Sequence, residues 1–197
     1  TSLGKEETVQ ARVLRLPVFP DVPADYWAKD ASEQMTTGGV IEPFPDGKFA
    51  PEKALTRAEL AAMLIRAEGV ELPRVYQPPF PDVPITYWGA RYIAAAVQQG
   101  LLVGYEDGTF GPRATVPREE AVSAISRFER LKAERVAESP FQDVTSRHWA
   151  ANSIADAKER GLLNYIQGDV LDTKKPITRA EAAELMAAHH ISGLPVV

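Results

Sequence analysis

The chain contains no cysteine, so disulfide bridges, thiolate metal sites and cysteine nucleophiles are excluded. Positive charge is in deficit, because 22 Lys and Arg face 27 Asp and Glu and leave a net charge of −5. Binding nucleic acid over a broad face requires an excess of basic residues, so we predict no nucleic-acid partner. No apolar run approaches the roughly 18 residues that cross a bilayer, which predicts no membrane span. Residues 1 to 18 lack the apolar stretch of a signal peptide, so an exported protein would contain this chain as a processed form or a piece.

Histidine is also scarce, and the three present are too few and too scattered to predict a metal site. The alternating acidic ligands of a calcium loop are missing as well. The chain has no nucleophile elbow, phosphate-binding loop or metalloprotease signature. We therefore predict a protein that is not an enzyme and that needs neither a metal nor a cofactor.

What the chain does have is an internal repeat with a period of 61 residues. Seven columns are identical in all three copies without a gap, and the copies span 19–69, 80–130 and 141–191. The equal spacing favours three copies that pack together. In copy one the identical columns are Phe19, Asp21, Val22, Trp27, Gly39, Arg57 and Glu59. Their equivalents in copies two and three include Trp88 and Trp149, Gly100 and Gly161, Arg118 and Arg179, and Glu120 and Glu181.

Each copy has the pattern of a helix, a loop and a second helix. The first helix is expected to start near Tyr26 and its equivalents Tyr87 and His148, and to run through the tryptophan. It should end at the glycine equivalent to Gly39, which suits a residue with positive φ after a helix. Asp46-Gly47 and Asp107-Gly108 predict tight turns between the helices, whereas copy three reads differently over 167–171 and predicts another turn.

The second helix begins with Thr-Arg-Ala-Glu at 56–59 and at 178–181, which is a capping box. Apolar residues follow at positions i, i+3, i+4 and i+7 and predict one apolar stripe on each second helix. A single pair of helices cannot bury such a stripe, so we expect a mainly α fold in which the three stripes converge around a pseudo-threefold axis. The stripes are Leu60, Met63, Leu64 and Ala67, then Ala121, Ala124, Ile125 and Phe128, then Ala182, Leu185, Met186 and His189.

Several of these elements together resemble the S-layer homology domain in three tandem copies. They are Phe-x-Asp-Val, a tryptophan six residues after the aspartate, a glycine that ends the first helix, Asp-Gly-x-Phe-x-Pro, and Thr-Arg-Ala-Glu. The resemblance covers the chain from Phe19 to about Ile191. It implies a three-pronged helical spindle that binds the bacterial cell wall outside the cell and tethers a fused or associated surface protein.

The resemblance also implies a ligand and its contacts. The ligand is a secondary cell-wall polysaccharide with a pyruvyl ketal, or in some lineages a peptidoglycan-linked glycan, bound in grooves between copies. The family's main contact to the acidic sugar is the arginine of Thr-Arg-Ala-Glu, which corresponds to Arg57, Arg118 and Arg179. An arginine at a helix N-terminus supports this role, because the guanidinium and the free N–H groups can hold one carboxylate together.

Other interpretations stay open for most of these residues. The arginines can instead form structural ion pairs, and the tryptophans can stack on sugars, although an aromatic early in an amphipathic helix more often anchors the core. Glu59 and its equivalents are explained by capping, and Asp21 and its equivalents by hydrogen bonds that fix the turn before the first helix. The turns have mainly a geometric role, but a neighbouring groove would bring a glycan to Asp46, Gly47, Gly104, Asp107 and Gly108.

The copies are not equivalent, so we expect one or two competent grooves. Copy one has Pro43 where copy two has Gly104, and copy two has Pro117 in place of the capping threonine and Glu119 beside Arg118. Copy three keeps the cap but not the turn. Two other functions compete with wall anchoring: a protein–protein assembly module in which the arginines bridge to carboxylates, and an enzyme acting on glycans, which would require paired carboxylates across a cleft.

Overall fold

The computed structural model describes residues 16–75, 77–128 and 139–188. These residues form six α-helices, two in each copy, which confirms the mainly α fold. The ends of copies two and three, including His189, lie outside the described residues. The helices are α1 (Lys29–Thr37), α2 (Arg57–Glu68), α3 (Ala90–Gln98), α4 (Arg118–Phe128), α5 (Ala151–Glu159) and α6 (Arg179–Ala188).

The second helices start where the capping boxes predict. Thr56 accepts a hydrogen bond from the backbone N–H of Glu59, and the Glu59 carboxylate accepts one from the backbone N–H of Thr56 at 2.8 Å. Thr178 and Glu181 form the same reciprocal pair at 3.2 Å. The box therefore satisfies free N–H groups at the start of α2 and α6.

The first helices start later than predicted. They begin at Lys29, Ala90 and Ala151, so each tryptophan lies in the turn before its helix. This turn is closed by backbone bonds such as Tyr26 N–H to the carbonyl of Pro23 and Lys29 N–H to the carbonyl of Tyr26, both 3.0 Å. The predicted ends are confirmed, because the glycines that follow the helices have φ of 71°, 72° and 77° at Gly39, Gly100 and Gly161.

The helices of one copy do not pack mainly on each other. Instead, the second helix of each copy packs against the first helix of the next, so that α2 contacts α3, α4 contacts α5, and α6 contacts α1. In the centre α4 contacts both α2 and α6. Isolated β-bridges follow the same cyclic order and join Thr56 to Thr115, Pro117 to Pro176, and Ala54 to Thr178. These contacts give the molecule its pseudo-threefold arrangement.

One continuous core results from this packing. The described members of the three predicted stripes are buried, apart from Ala67 and Phe128, which are partly buried against the core. The centre of α2 is buried on nearly every side, because Leu60 through Ile65 are all within the core. A second helix is therefore better described as a central helix than as an amphipathic one.

The aspartates before the first helices fix a different segment from the one predicted. Asp82 accepts hydrogen bonds from the backbone N–H groups of Phe110 at 2.9 Å and Gly111 at 2.7 Å, 28 and 29 residues later in the same copy. Asp21 and Asp143 hold the equivalent pairs of N–H groups. The second residue of each pair has positive φ, at Ala50, Gly111 and Asp172. Each aspartate therefore ties the start of its copy to the strained segment after the turn.

Candidate functional site

The three predicted arginines lie at the starts of the second helices, and their side chains reach into the next copy. They are buried, with 2%, 7% and 5% of the surface of Arg57, Arg118 and Arg179 exposed. Each guanidinium donates to the carbonyl at one equivalent position of the neighbouring loop. The acceptors are Phe110 at 2.7 Å for Arg57, Leu171 at 2.6 Å for Arg118, and Phe49 at 2.7 Å for Arg179.

Two of the arginines also pair with a carboxylate from the next copy. Arg57 pairs with Glu120, and Arg118 pairs with Glu181. By the same cyclic rule Arg179 should pair with Glu59, but Glu59 is bound by Lys53 at 2.8 Å. Within the part of the chain that the structure describes, Arg179 has no carboxylate partner. The structural ion pair considered for these residues is thus present at two of the three positions.

Burial acts on all three cations but with different results. Burial lowers the pKa of Arg57 and of Arg179, because a charge is costly away from water. At Arg118 burial also opposes the charge, but the hydrogen bonds and the attraction of Glu181 outweigh it and raise the pKa. The charge of Arg118 is therefore already balanced by Glu181, whereas an added anion would stabilise the charge of Arg179 more strongly.

The expectation that the tryptophans anchor the core is wrong. Trp27, Trp88 and Trp149 are 49%, 53% and 57% exposed. They lie in the turns before the first helices rather than within the helices, so their rings project over the surface. Two of them line clefts that also contain one of the buried arginines, Trp88 with Arg179 and Trp27 with Arg118.

The cleft beside Arg179 has a volume of about 230 Å³ and draws on all three copies. Copy three supplies Arg179, copy two supplies Trp88, and copy one supplies the segment from Ile41 to Phe44 together with one side of α2. Arg66, near the end of α2, adds a second guanidinium to this cleft. Glu42 and Glu59 also line the cleft, so among the described residues it contains two cations, an exposed indole and two carboxylates, neither of which is ion-paired with Arg179.

The cleft beside Arg118 has a volume of about 280 Å³ and a different content. Trp27 is stacked on Tyr165, with ring centroids 5.4 Å apart and an angle of 18° between the planes. Glu181 and Glu52 both line this cleft. Its indole face and its arginine are thus already engaged within the protein.

The surroundings of Arg57 are also occupied. The guanidinium lies 4.6 Å from the ring centroid of Tyr105 and donates to the carbonyl of Val103 at 2.5 Å. Trp149, from the third copy, donates from its indole nitrogen to Glu119 at 3.2 Å. Arg179 has similar contacts with the Glu42 carbonyl at 2.9 Å and the Phe44 ring at 4.8 Å, so among the described residues it differs from the other two arginines in having no carboxylate ion pair.

The turn residues predicted as ligand contacts have local partners. Asp46 accepts from the backbone N–H of Lys48 at 3.1 Å, and Asp107 accepts from that of Thr109 at 2.9 Å. Gly47 and Gly108 follow these aspartates with φ of 78° and 81°. None of these turn residues lines the cleft at Arg179.

Gly104 is required by packing. A Cβ atom at this position would lie 2.5 Å from the ring of Phe80 and 3.0 Å from the carbonyl of Thr109. The turn of copy three differs as predicted, because the Tyr105 N–H bonds across its turn to the carbonyl of Thr109 at 2.7 Å, whereas the equivalent Ile166 N–H bonds to the carbonyl of Leu163 at 3.0 Å. Ligand contact by the turn residues stays a prediction.

Three residues near Arg179 were missed by sequence reasoning. Arg66 bonds to Glu42 at 2.9 Å and donates to the hydroxyl of Tyr92 at 3.3 Å. Glu42 and Arg66 belong to copy one but Tyr92 belongs to copy two, so no spacing within a copy relates them. Only the differences between copies could have marked Arg66 and Glu42, whose equivalents in copy three are Ala188 and Asn164.

The described residues contain neither a cluster of metal-binding side chains nor a membrane-spanning helix. Over residues 16–75, 77–128 and 139–188, no group of three or more metal-binding side chains is brought together. Within the same ranges, no helix has the length and apolarity required to cross a membrane.

Comparison with known proteins agrees with the fold. The sequence pattern of the S-layer homology domain matches residues 18–61, 79–122 and 140–183. The chain is 33% identical over 174 residues to the amylopullulanase of Thermoanaerobacterium thermosulfurigenes, covering 85% of this chain and 9% of that protein. It is 30% identical over 171 residues to the S-layer protein sap of Bacillus anthracis, covering 86% and 21%. It is 32% identical over 142 residues to the cellulosome-anchoring protein of Acetivibrio thermocellus, covering 70% and 32%.

The cyclic helical fold and these matches define a cell-wall anchoring module that lies outside the bacterial cell. The chain belongs to the S-layer homology domain family and contains three tandem copies of the domain. It spans no more than about a third of the length of these three relatives, one of which is named as an enzyme.

Proposed function

We propose that this chain attaches a surface protein to the bacterial cell wall by binding an acidic wall glycan in the cleft beside Arg179. A secondary cell-wall polysaccharide with pyruvyl ketals is the proposed ligand, and a peptidoglycan-linked glycan is the alternative. The observation that carries the proposal is a buried guanidinium without a carboxylate partner among the described residues, facing a cleft with an exposed tryptophan. A ketal carboxylate would supply the missing anion, and the indole of Trp88 would supply a face for the sugar.

The other two arginines are proposed as weaker contacts or as structural residues. Arg57 and Arg118 already hold Glu120 and Glu181, so a ligand would have to displace a neighbouring carboxylate. Breaking such a buried pair leaves an uncompensated charge and is strongly unfavourable. We therefore propose one main binding site per chain.

A catalytic role on the glycan is not proposed. The cleft contains two carboxylates, Glu42 and Glu59, and each is ion-paired with a basic side chain. Burial works against the charge of Glu59, but the bonds from Lys53 and Thr56 outweigh it and lower the pKa, which makes Glu59 a poor general acid. Any enzymatic activity of a whole protein that contains this chain is proposed to belong to other parts.

An assembly module is a second candidate, favoured by the ion pairs of Arg57 and Arg118 with carboxylates of the next copy. This candidate expects self-association that increases with concentration and no retention on wall material. Sedimentation of the chain alone and with purified sacculi separates the two functions.

The proposal is tested by co-sedimentation with wall sacculi before and after extraction of non-peptidoglycan polymer. Wild type should bind intact sacculi, and Arg179→Gln and Trp88→Ala should lose most of that binding. Trp27→Ala is the matched control, because it removes the equivalent indole from the cleft at Arg118. Binding that survives extraction identifies peptidoglycan as the ligand, and unchanged binding by Arg179→Gln and Trp88→Ala contradicts the proposed site.

A further inference from the structure

The cleft at Arg179 contains an anion of its own. The Glu42 carboxylate bonds to an Nη atom of Arg66 at 2.9 Å. The copies differ at these positions, since the equivalents of Arg66 are Arg127 and Ala188 and those of Glu42 are Val103 and Asn164. Copy one alone places an acid and an arginine at these two positions, and it does so beside the arginine that has no carboxylate partner in the described ranges.

The two members of this pair are held very differently. The Arg66 side chain is 20% exposed, and its guanidinium lies 5.1 Å from the ring centroid of Tyr92 and within hydrogen-bonding distance of the Tyr92 hydroxyl. The Glu42 side chain is 70% exposed, and within the described ranges its carboxylate bonds to Arg66 alone. An exposed ion pair contributes little because water competes for both charges. The cation therefore stays in place while its anion is exchangeable.

Residue 42 also connects the two cations of the cleft. Its backbone carbonyl accepts a hydrogen bond from an Nη atom of Arg179 at 2.9 Å, while its side chain pairs with Arg66. The backbone contact does not depend on where the carboxylate lies. Release of the Glu42 side chain would thus expose the charge of Arg66 without loosening Arg179.

We infer that the Glu42 carboxylate is an internal substitute for an acidic group of the ligand, which displaces it from Arg66 on binding. Arg66 then becomes a second ligand contact beside Arg179, and the cleft selects a glycan with more than one acidic group. This inference rests on the proposed function of the same cleft. Competition by Glu42 lowers the affinity of a ligand that uses Arg66, because a ligand held by Arg179 alone leaves the Glu42–Arg66 pair intact.

The test is calorimetric titration with a soluble disaccharide that carries a pyruvyl ketal on each sugar, and with the same disaccharide without ketals. Glu42→Gln should lower the dissociation constant about 2- to 5-fold, because it removes a weak competing ion pair. Arg66→Gln should weaken it about tenfold or more, as expected for the loss of a charge-assisted hydrogen bond. In the Glu42→Gln, Arg66→Gln double variant the gain from Glu42→Gln should vanish.

Arg127→Gln is the matched control, because it removes the equivalent arginine from copy two, and it should bind like wild type. An unchanged or weaker dissociation constant for Glu42→Gln, or a gain that persists without Arg66, overturns the inference. If Arg179→Gln and Trp88→Ala still weaken binding in that case, the proposed cleft stands and only the role of Glu42 and Arg66 fails. Absence of wild-type binding to the ketal-bearing probe overturns the inference and the pyruvylated ligand, and the cleft itself fails as well if Arg179→Gln and Trp88→Ala keep wild-type binding to sacculi.

Discussion

At the scale of single residues, all three copies share a pair of backbone hydrogen bonds accepted by Asp21, Asp82 or Asp143, which we call the aspartate clamp. Its two hydrogen bonds measure 3.0 and 2.7 Å at Asp21 and 2.9 and 2.7 Å at both Asp82 and Asp143. The clamped segment leads into the second helix, whose first residue is the buried arginine. A change at an aspartate should therefore affect both stability and the position of the arginine.

Asp82→Ala should lower the free energy of unfolding by about 2–3 kcal/mol, the typical contribution of a hydrogen bond to a charged group. The substitution leaves the backbone N–H groups of Phe110 and Gly111 without their acceptor. Urea unfolding followed by circular dichroism measures the change. Asp25→Ala, at an exposed aspartate in the turn before α1, is the control, and an equal effect of both substitutions would contradict the clamp.

Acid should weaken the clamp of copy three. Burial works against the charge of Asp143, but the N–H groups of Leu171 and Asp172 outweigh burial and lower the pKa of the carboxyl group. A carboxyl group whose pKa is lower in the folded protein stabilises the fold above its unfolded pKa of about 3.9, and this stabilisation is lost as the pH falls through the folded value.

Asp143→Asn should therefore reduce the acid sensitivity of the protein. Relative to wild type, the variant should be less stable at pH 7, and the difference should shrink as the pH falls below about 4. Urea unfolding at pH 7, 4 and 3 checks this. A difference between the two proteins that stays constant over this range would show that the charge of Asp143 contributes nothing.

At the scale of elements, the sequence predicts the helices that have a chemical signal at their ends. Thr56 with Glu59 marks the start of α2, and Gly39 marks the residue after α1, because capping and positive φ depend on residues next to each other in the chain. The start of α1 at Lys29 lacks a side-chain cap that could mark it in the sequence, and the predicted start at Tyr26 is too early. This error of three residues moved Trp27 into the helix and suggested burial, whereas the turn leaves it half exposed.

Gly100→Ala should destabilise the protein by about 1 kcal/mol, because alanine adopts positive φ at a cost. No atom lies within 4 Å of the position that a Cβ atom would take, so the cost is one of backbone conformation alone. Gln99→Ala, at the preceding residue with φ of −85°, is the control and should be close to neutral. Thermal unfolding compares the two, and equal midpoints would contradict the role of positive φ.

At the scale of the whole molecule, no copy is a folding unit by itself. Each second helix packs on the first helix of the next copy, and α6 packs on α1. The period of 61 residues predicts three similar copies that pack together, but it does not say which first helix meets which second helix. The burial of Arg57 and Arg179 has the same origin, since their carbonyl acceptors lie in another copy. Sequence reasoning therefore identified the arginines but not the one that has no carboxylate partner among the described residues.

A chain that ends at residue 128 should not fold cooperatively, because α1 loses α6 and α4 loses α5. The loss exposes apolar surface on both partners, which should appear as low helicity and a broad urea transition. Adding a peptide of residues 139–197 should restore helicity. A sharp transition for the shortened chain alone would contradict the cyclic packing.

The cleft at Arg179 lies where copy three meets copy one, and this is the one junction that no peptide segment bridges. Copies one and two are covalently continuous, as are copies two and three, but copies three and one are joined by non-covalent contacts alone, including the backbone hydrogen bonds from the Leu55 N–H to Ile177 and from the Arg179 N–H to Lys53. A polysaccharide bound there would contact copies three and one together and so bridge the junction between them. Ligand binding stabilises the folded protein through mass action. Here it would stabilise the contact between copies three and one, which must break before the ring of three copies can open.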